Sequence, residues 1–219
     1  MENIKGAIFD MDGTLVDSLM LWDIIWKKFG IKFLNDENFR PAPNDDKAVR
    51  TLTLKDAMAH IHNVYNIGQS GEELLCEANA IMHNFYANDV KLKDGVLEFL
   101  EYLSKKGVKM CIASATDMGL LDVVMEHCNL KKYFSGILSC AVIGKGKEEP
   151  DIYLAAMEHL GTSIEETCVF EDSCVAILTA HKIGIKTVAI YDKFNYGQEE
   201  MKNTADVYIA DGESLRKLI

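Results

Sequence analysis

The run Phe9-Asp10-Met11-Asp12-Gly13-Thr14-Leu15-Val16-Asp17-Ser18 places two carboxylates one residue apart, where an apolar segment stops and a glycine turn begins. The preceding Gly6-Ala7-Ile8-Phe9 reads as a short buried strand bounded by turn chemistry. In open α/β sheets ligands collect outside the carboxyl ends of strands, which is where this pair stands. Two crowded carboxylates repel each other unless a cation or a shared proton relieves them. Turn and helix capping is the competing reading, because Asp, Gly, Thr and Ser all favour such positions. Capping accounts for Thr14 or Ser18, but it needs no second acid in the same turn.

Three further polar points follow apolar runs. Ser114 comes after Met110-Cys111-Ile112-Ala113, with Thr116 close behind. Lys147 stands in Gly144-Lys145-Gly146-Lys147-Glu148-Glu149-Pro150-Asp151, and Glu171-Asp172-Ser173 follows Cys168-Val169-Phe170. Each has an ordinary alternative: a helix cap for Ser114, Asp172 or Ser173, a solvated loop lysine for Lys147. Together they supply what phosphoryl transfer requires. One carboxylate serves as nucleophile and a second moves the proton. A hard cation, a lysine and a hydroxyl neutralise the phosphoryl oxygens.

The elements that must position these residues follow from periodicity. Apolar runs at Val108–Ala113, Gly136–Cys140, Thr167–Phe170, Ile185–Tyr191 and Asp206–Ala210 alternate with helical stretches at Met118–Cys128, Asp151–Leu160 and Ser173–Lys182. Such alternation predicts an α/β fold, a Rossmann-like parallel sheet with helices on both faces. From Ser18 to about Asn88 the chain reads as helical, with Leu21, Ile24, Ile25 and Phe29 at helical spacing and a break at Arg40-Pro41-Ala42-Pro43-Asn44. Helices are expected over Gly71–Tyr86 and Gly95–Lys105. The expected organisation is a catalytic core of residues 1–16 and 91–219 with a helical cap, 17–90, inserted after the first acidic turn.

Composition bounds the function. The 219 residues carry a formal net charge of −11, with 48% hydrophobic and 26% charged residues, ordinary for a globular chain. That charge argues against nucleic-acid or membrane-surface binding, which wants a basic face. No apolar stretch approaches the about 20 residues of a membrane span. The N-terminal Met1-Glu2-Asn3-Ile4-Lys5 lacks a signal-peptide layout, and Cys76, Cys111, Cys128, Cys140, Cys168 and Cys174 form no CxxC pair. Buried free thiols in a reducing cytoplasm are expected. The dispersed histidines make no metal cluster, and Gly144-Lys145-Gly146-Lys147 lacks the spacing of a nucleotide P-loop.

On these four ordered motifs the chain resembles the haloacid dehalogenase superfamily, in its phosphatase and beta-phosphoglucomutase-like branch, over nearly its whole length. The resemblance implies that Asp10 is the nucleophile and a ligand of Mg²⁺, and that Asp12 is the general acid and base with its backbone carbonyl on the metal. It implies that Ser114 binds the transferring phosphoryl group with Thr116 beside it, and that Lys147 neutralises that group. Asp172 then completes the metal site, with Glu171 beside it in the acidic shell. The family's Lys-Pro-x-Pro-Asp stands here as Lys147-Glu148-Glu149-Pro150-Asp151, and that register selects Lys147, although Lys145 is close enough to compete. Ala176 stands where the family has glycine, and the cap stretch Arg40 to Lys55 carries Asp45 and Asp46 where a glycine-containing substrate loop is expected.

The implied reaction is Mg²⁺-dependent hydrolysis of a small phosphate monoester through an aspartyl phosphate. A sugar phosphomutase is the rival reading. The family's mutases place a histidine where this chain has Trp22, which favours hydrolysis. Arg50 and Lys55 are candidate contacts for a distal substrate group, against a solvated helix face as the alternative. A receiver-like phosphorylation module gathers similar groups, but on a chain about half this length without a helical insertion.

Overall fold

A computed structural model describes residues 3–50 and 52–219. The chain forms two compact units, Met1–Leu19 with Val90–Ile219, and Met20–Asp89. The strands are β1 (Gly6–Phe9), β2 (Val16–Asp17), β3 (Lys91–Leu92), β4 (Lys109–Ser114), β5 (Ile137–Ser139), β6 (Thr167–Glu171), β7 (Lys186–Ile190) and β8 (Val207–Ile209). Six of them make one sheet in the order β5-β4-β1-β6-β7-β8. Every pairing in it is parallel.

Why this sheet is covered on both faces can be read from the alternation of side chains along β1. Ile8 joins Cys111, Val169, Ile152, Ala156 and Ala180 in one buried cluster, so its face carries the helices that follow β5 and β6. Phe9 points the other way, stacking on Phe170 with ring centroids 4.3 Å apart and meeting Phe99 edge-on at 6.3 Å. A strand buried on both faces reads as a continuous apolar run, as Gly6-Ala7-Ile8-Phe9 does. β1 lies between β4 and β6, and chain order reverses there. The carboxyl end of β1 is therefore a topological switch point, where an α/β sheet opens a crevice.

β2 and β3 form a separate two-residue antiparallel pair, Val16 opposite Leu92 and Asp17 opposite Lys91. They join the segments where the chain leaves this unit and re-enters it. Runs of two residues carry no periodicity, so nothing in the sequence pattern announces them.

The unit Met20–Asp89 holds α1 (Leu21–Phe29), α2 (Pro43–Val49), α3 (Leu54–Tyr65) and α4 (Gly71–Asn88). α1 continues into a π-helical turn, Gly30–Leu34, which ends at Asn35 in the left-handed region (φ 52°). The stretch Arg40–Lys55 is not a loop throughout. Pro43 opens α2 at its first turn, where its missing N–H costs nothing. The indole of buried Trp26 donates to Asp46 Oδ1 at 2.7 Å, tying α1 to α2, and Trp22 packs beside it at 5.3 Å.

The other unit holds α5 (Val96–Lys105), α6 (Met118–His127), α7 (Cys140–Ile143), α8 (Asp151–Leu160), α9 (Cys174–Lys182) and α10 (Gln198–Thr204). All six cysteines are free. Cys111, Cys140 and Cys168 are buried as expected, but Cys76 is exposed and Cys128 and Cys174 are half-buried. Cys76 lies on the outward face of α4, whose buried side is Leu74, Ala78, Ile81 and Phe85. No helix among the described residues is long and apolar enough to cross a membrane.

Candidate active site

The carboxyl ends of β1, β4 and β6 bring the motif residues together. The Asp10 amide extends the β1 ladder by donating to Phe170 O at 3.0 Å, which fixes where its side chain emerges. Ser114 and Glu171 are the last residues of β4 and β6, and both are buried. Lys147 arrives from the loop after β5 and the single-turn α7.

Lys147 decides between the two readings of its loop. Its Nζ donates to Asp10 Oδ1 at 2.5 Å and to Glu171 Oε1, with its side chain 10% exposed. The solvated-lysine alternative belongs instead to Lys145, which pairs with Asp151 at 2.9 Å on the surface. Glu171 Oε2 accepts from the backbone N–H groups of Asp172 and Ser173, each at 3.0 Å. Both oxygens of Glu171 are thus engaged by protein donors, so it orients Lys147 and the start of the next loop. Ser173 precedes α9 but its side chain caps nothing.

Asp172 is 2% exposed and accepts from Thr14 Oγ1 on Oδ1 at 3.0 Å and from Asn195 Nδ2 on Oδ2. Thr14 is therefore no helix cap; its hydroxyl crosses from the first turn to the β6 loop. Gly13 makes that approach feasible. It holds φ +79°, and a Cβ there would stand 2.0 Å from Asp172 Oδ2. Gly13→Ala is expected to cost about 1–2 kcal/mol for the left-handed backbone alone and to displace Asp172 as well. Melting curves with and without a divalent cation would register both effects.

Asp12 is half-buried and held from two sides. Ser18 Oγ donates to its Oδ1 and Thr116 Oγ1 to its Oδ2, each at 2.7 Å. Thr116 in turn gives its N–H to Ser114 Oγ at 3.1 Å and accepts from Ser139 Oγ at 3.0 Å. The Thr116 hydroxyl, expected as a phosphate contact, bonds Asp12, and its backbone N–H bonds Ser114 Oγ, so one residue links the Ser114 and Asp12 side chains.

The electrostatics are those of a site short of positive charge. Oxygens of Asp10, Glu171 and Asp172, all buried, lie within 4.8 Å of one another among the described residues. Burial, opposed by Lys147 and aided by Glu171 and Asp12, pushes the Asp10 carboxyl up to about 7. Burial and the charges of Glu171 and Asp10 hold Asp172 well above the usual carboxylate range. Burial works to lower Lys147, but the Asp10 and Glu171 carboxylates outweigh it and keep the ammonium charged. Three carboxylates around one ammonium form an all-oxygen donor set with uncompensated negative charge, and a hard divalent cation such as Mg²⁺ fits it.

Arg50 and Lys55 belong to the other unit. Arg50 is not on a solvated face: its Nε donates to Asp46 Oδ2 at 3.0 Å, its guanidinium lies over Trp22, and its side chain is 13% exposed. Lys55 is exposed in the first turn of α3. His60 and His62 take separate partners, Asp45 and Ile67 O.

The family model described as haloacid dehalogenase-like hydrolase matches residues 7–190. The chain belongs to this family. Among curated relatives of this haloacid dehalogenase-like hydrolase, the phosphorylated carbohydrates phosphatase of Thermotoga maritima is 24% identical over 98% of each chain. Among solved structures, a candidate beta-phosphoglucomutase of Thermotoga maritima superposes with a TM-score of 0.80 at 23% identity, covering 98% of both chains. CbbY from Rhodobacter sphaeroides, solved with phosphate, gives 0.78 at 19% identity over 94% of this chain and 93% of its own. The parallel sheet expected from sequence is thus the fold of this hydrolase family, and the enzyme is of the phosphatase and phosphomutase type.

Asn195 and Ser18 are polar partners of the site that sequence reasoning gave no such role. Asn195 lies 23 residues beyond Asp172, in the loop after β7, where no motif points to it.

Proposed function

We infer that this hydrolase is a magnesium-dependent phosphatase acting on a small phosphorylated metabolite, by way of an aspartyl phosphate on Asp10. The observation that carries the reading is Lys147, held between Asp10 and Glu171 with Asp172 adjoining. A lysine so placed neutralises an incoming phosphoryl group while keeping the Asp10 carboxylate oriented for attack. Asp10 and Asp172, with the Asp12 backbone carbonyl that the family resemblance implies, would hold Mg²⁺. When bound, it supplies positive charge to the phosphoryl oxygens.

The remaining steps fall to side chains of the chain. An Asp10 oxygen forms the bond to phosphorus as the ester oxygen leaves, and Asp12 protonates that leaving oxygen. Asp12, now ionised, takes a proton from water, whose oxygen attacks phosphorus and frees Asp10 and inorganic phosphate. Ser18 and Thr116 keep both Asp12 oxygens in register for the two transfers. Six unbridged thiols suit a cytoplasmic setting.

The deciding experiment is a screen of phosphate esters with Mg²⁺ that includes beta-glucose 1-phosphate. Release of inorganic phosphate is the expected result. Conversion of that ester to glucose 6-phosphate without net phosphate release would make the enzyme a mutase instead.

Metal dependence carries a signed pH prediction. Asp10 and Asp172 have folded pKa values above their unfolded ones. Their contribution to stability is therefore present at low pH and is lost as pH rises toward the folded values. A divalent cation competes with those protons, so stabilisation by Mg²⁺ should grow between about pH 5 and about pH 8. Thermal melts at several pH values check this, and a chelator should silence turnover. A melting shift independent of pH would count against the proposed ligands.

A further inference from the structure

Asn195 Nδ2 donates to two oxygens of a single residue, the Asp172 backbone carbonyl at 3.0 Å and the Asp172 Oδ2 carboxylate. Its two N–H bonds match the two acceptors. The flipped amide would set an oxygen against two oxygens, so the network admits only this orientation. One amide thereby ties the main chain of Asp172 to its side chain and sets the direction of the carboxylate. Thr14 Oγ1 does the same for Oδ1 at 3.0 Å. Each carboxylate oxygen keeps a lone pair for a cation.

The amide is itself held. Asp192 Oδ1 accepts from Phe194 N at 2.9 Å, and Asp192 Oδ2 from Lys93 Nζ at 2.7 Å. Asn195 N donates to Asp192 O at 3.1 Å. The Gln198 amide bonds Asp192 O at 2.9 Å and Asn195 O at 3.3 Å, and Tyr208 OH holds Gln198 Oε1 at 2.9 Å. This amount of bonding makes the loop after β7 a rigid mount, from which the Asn195 amide reaches Asp172.

We propose that Asn195 is a positioning residue that sets the affinity of the site for its divalent cation by fixing the Asp172 carboxylate. The inference rests on the metal-dependent reading above. Donors that orient a metal-binding side chain are worth about 10- to 100-fold in metal affinity. Asn195→Leu keeps the size of the side chain and removes the donor, and Asn195→Ala is a second variant in case the leucine disturbs the loop.

Calorimetric titration of each purified protein with Mg²⁺ alone gives the binding constant, and phosphatase activity against Mg²⁺ concentration gives the half-saturation point and kcat. Both variants are expected to bind Mg²⁺ about tenfold more weakly, with the half-saturation point shifted alike and kcat restored at saturating Mg²⁺. An unchanged binding constant in both variants overturns the proposal, whatever happens to Tm, because a merely structural role lowers Tm and leaves that constant alone. A fall in kcat that saturating Mg²⁺ does not restore also overturns it. Absence of Mg²⁺ binding by the unsubstituted enzyme is a different result, which overturns the metal-dependent reading together with this one.

Discussion

Asp10→Asn should yield a folded protein that has lost turnover by on the order of 10⁴-fold or more, the scale seen when a catalytic nucleophile is deleted. The amide is nearly isosteric, but its oxygen carries no charge and does not attack phosphorus. Folding should not suffer. Burial already pushes the Asp10 carboxyl up to about 7, so above that pH the substitution removes a costly charge. Lys147 keeps its second partner, Glu171. Melting in the absence of metal at about pH 8 should therefore match or exceed that of the parent enzyme. Parent-like turnover in this variant would end the aspartyl-phosphate mechanism. Asp12→Ala provides the contrast: a loss of about 10²–10⁴-fold on alkyl phosphates, whereas a nitrophenyl ester, whose leaving group needs no proton, should restore the first step alone and give a burst of nitrophenol followed by slow turnover.

Lys147→Met is the substitution with the largest structural consequence. It strips the ammonium that bonds both Asp10 and Glu171 and leaves their buried carboxylates facing Asp172. Breaking a buried ion pair from one side costs about 3–5 kcal/mol. The sign of its pH dependence follows. Without the lysine, the folded-state pKa values of the carboxylates rise further above their unfolded values, so the lost stability returns as pH falls and the acids protonate. Metal-free Lys147→Met should melt far below the parent at about pH 8 and approach it near about pH 5. Its turnover should drop with the loss of the charge that faces the phosphoryl group. Lys145→Ala is the control, since its partner Asp151 lies on the surface and the pair is solvated. Equal melting of both variants across that range would remove Lys147 from the centre of the site.

The family was readable because its motifs are residue types at strand ends. Asp10, Asp12, Ser114 and Glu171-Asp172 each follow an apolar run, and the runs themselves were clear; α8 spans Asp151–Leu160 in the structure as the periodicity predicts. What escaped depends on long-range contact or on segments too short to have a period. The motif register selects Lys147, but its pairing with Glu171 as well as Asp10 joins three separate stretches of chain and has no local signal. Thr14 reads as a cap because its acceptor lies 158 residues on. The Thr116–Asp12 bond joins residues 104 apart in sequence, so no local pattern shows it. Pro43 reads as a breaker and is also a helix start, since proline both ends one element and suits the first turn of the next.

The β2–β3 pair has an evolutionary side. Asp17 and Lys91 are hydrogen-bonded neighbours although 73 intervening residues separate them in sequence. A tight turn of a few residues could join such strands directly. The unit Met20–Asp89 between them can therefore be exchanged, lengthened or trimmed while Ser18, Asp12 and the sheet that presents Asp10 stay in place. A lineage can trade one such unit for another at that seam and leave the clustered acids and Lys147 where they are, so the two units are free to change at different rates.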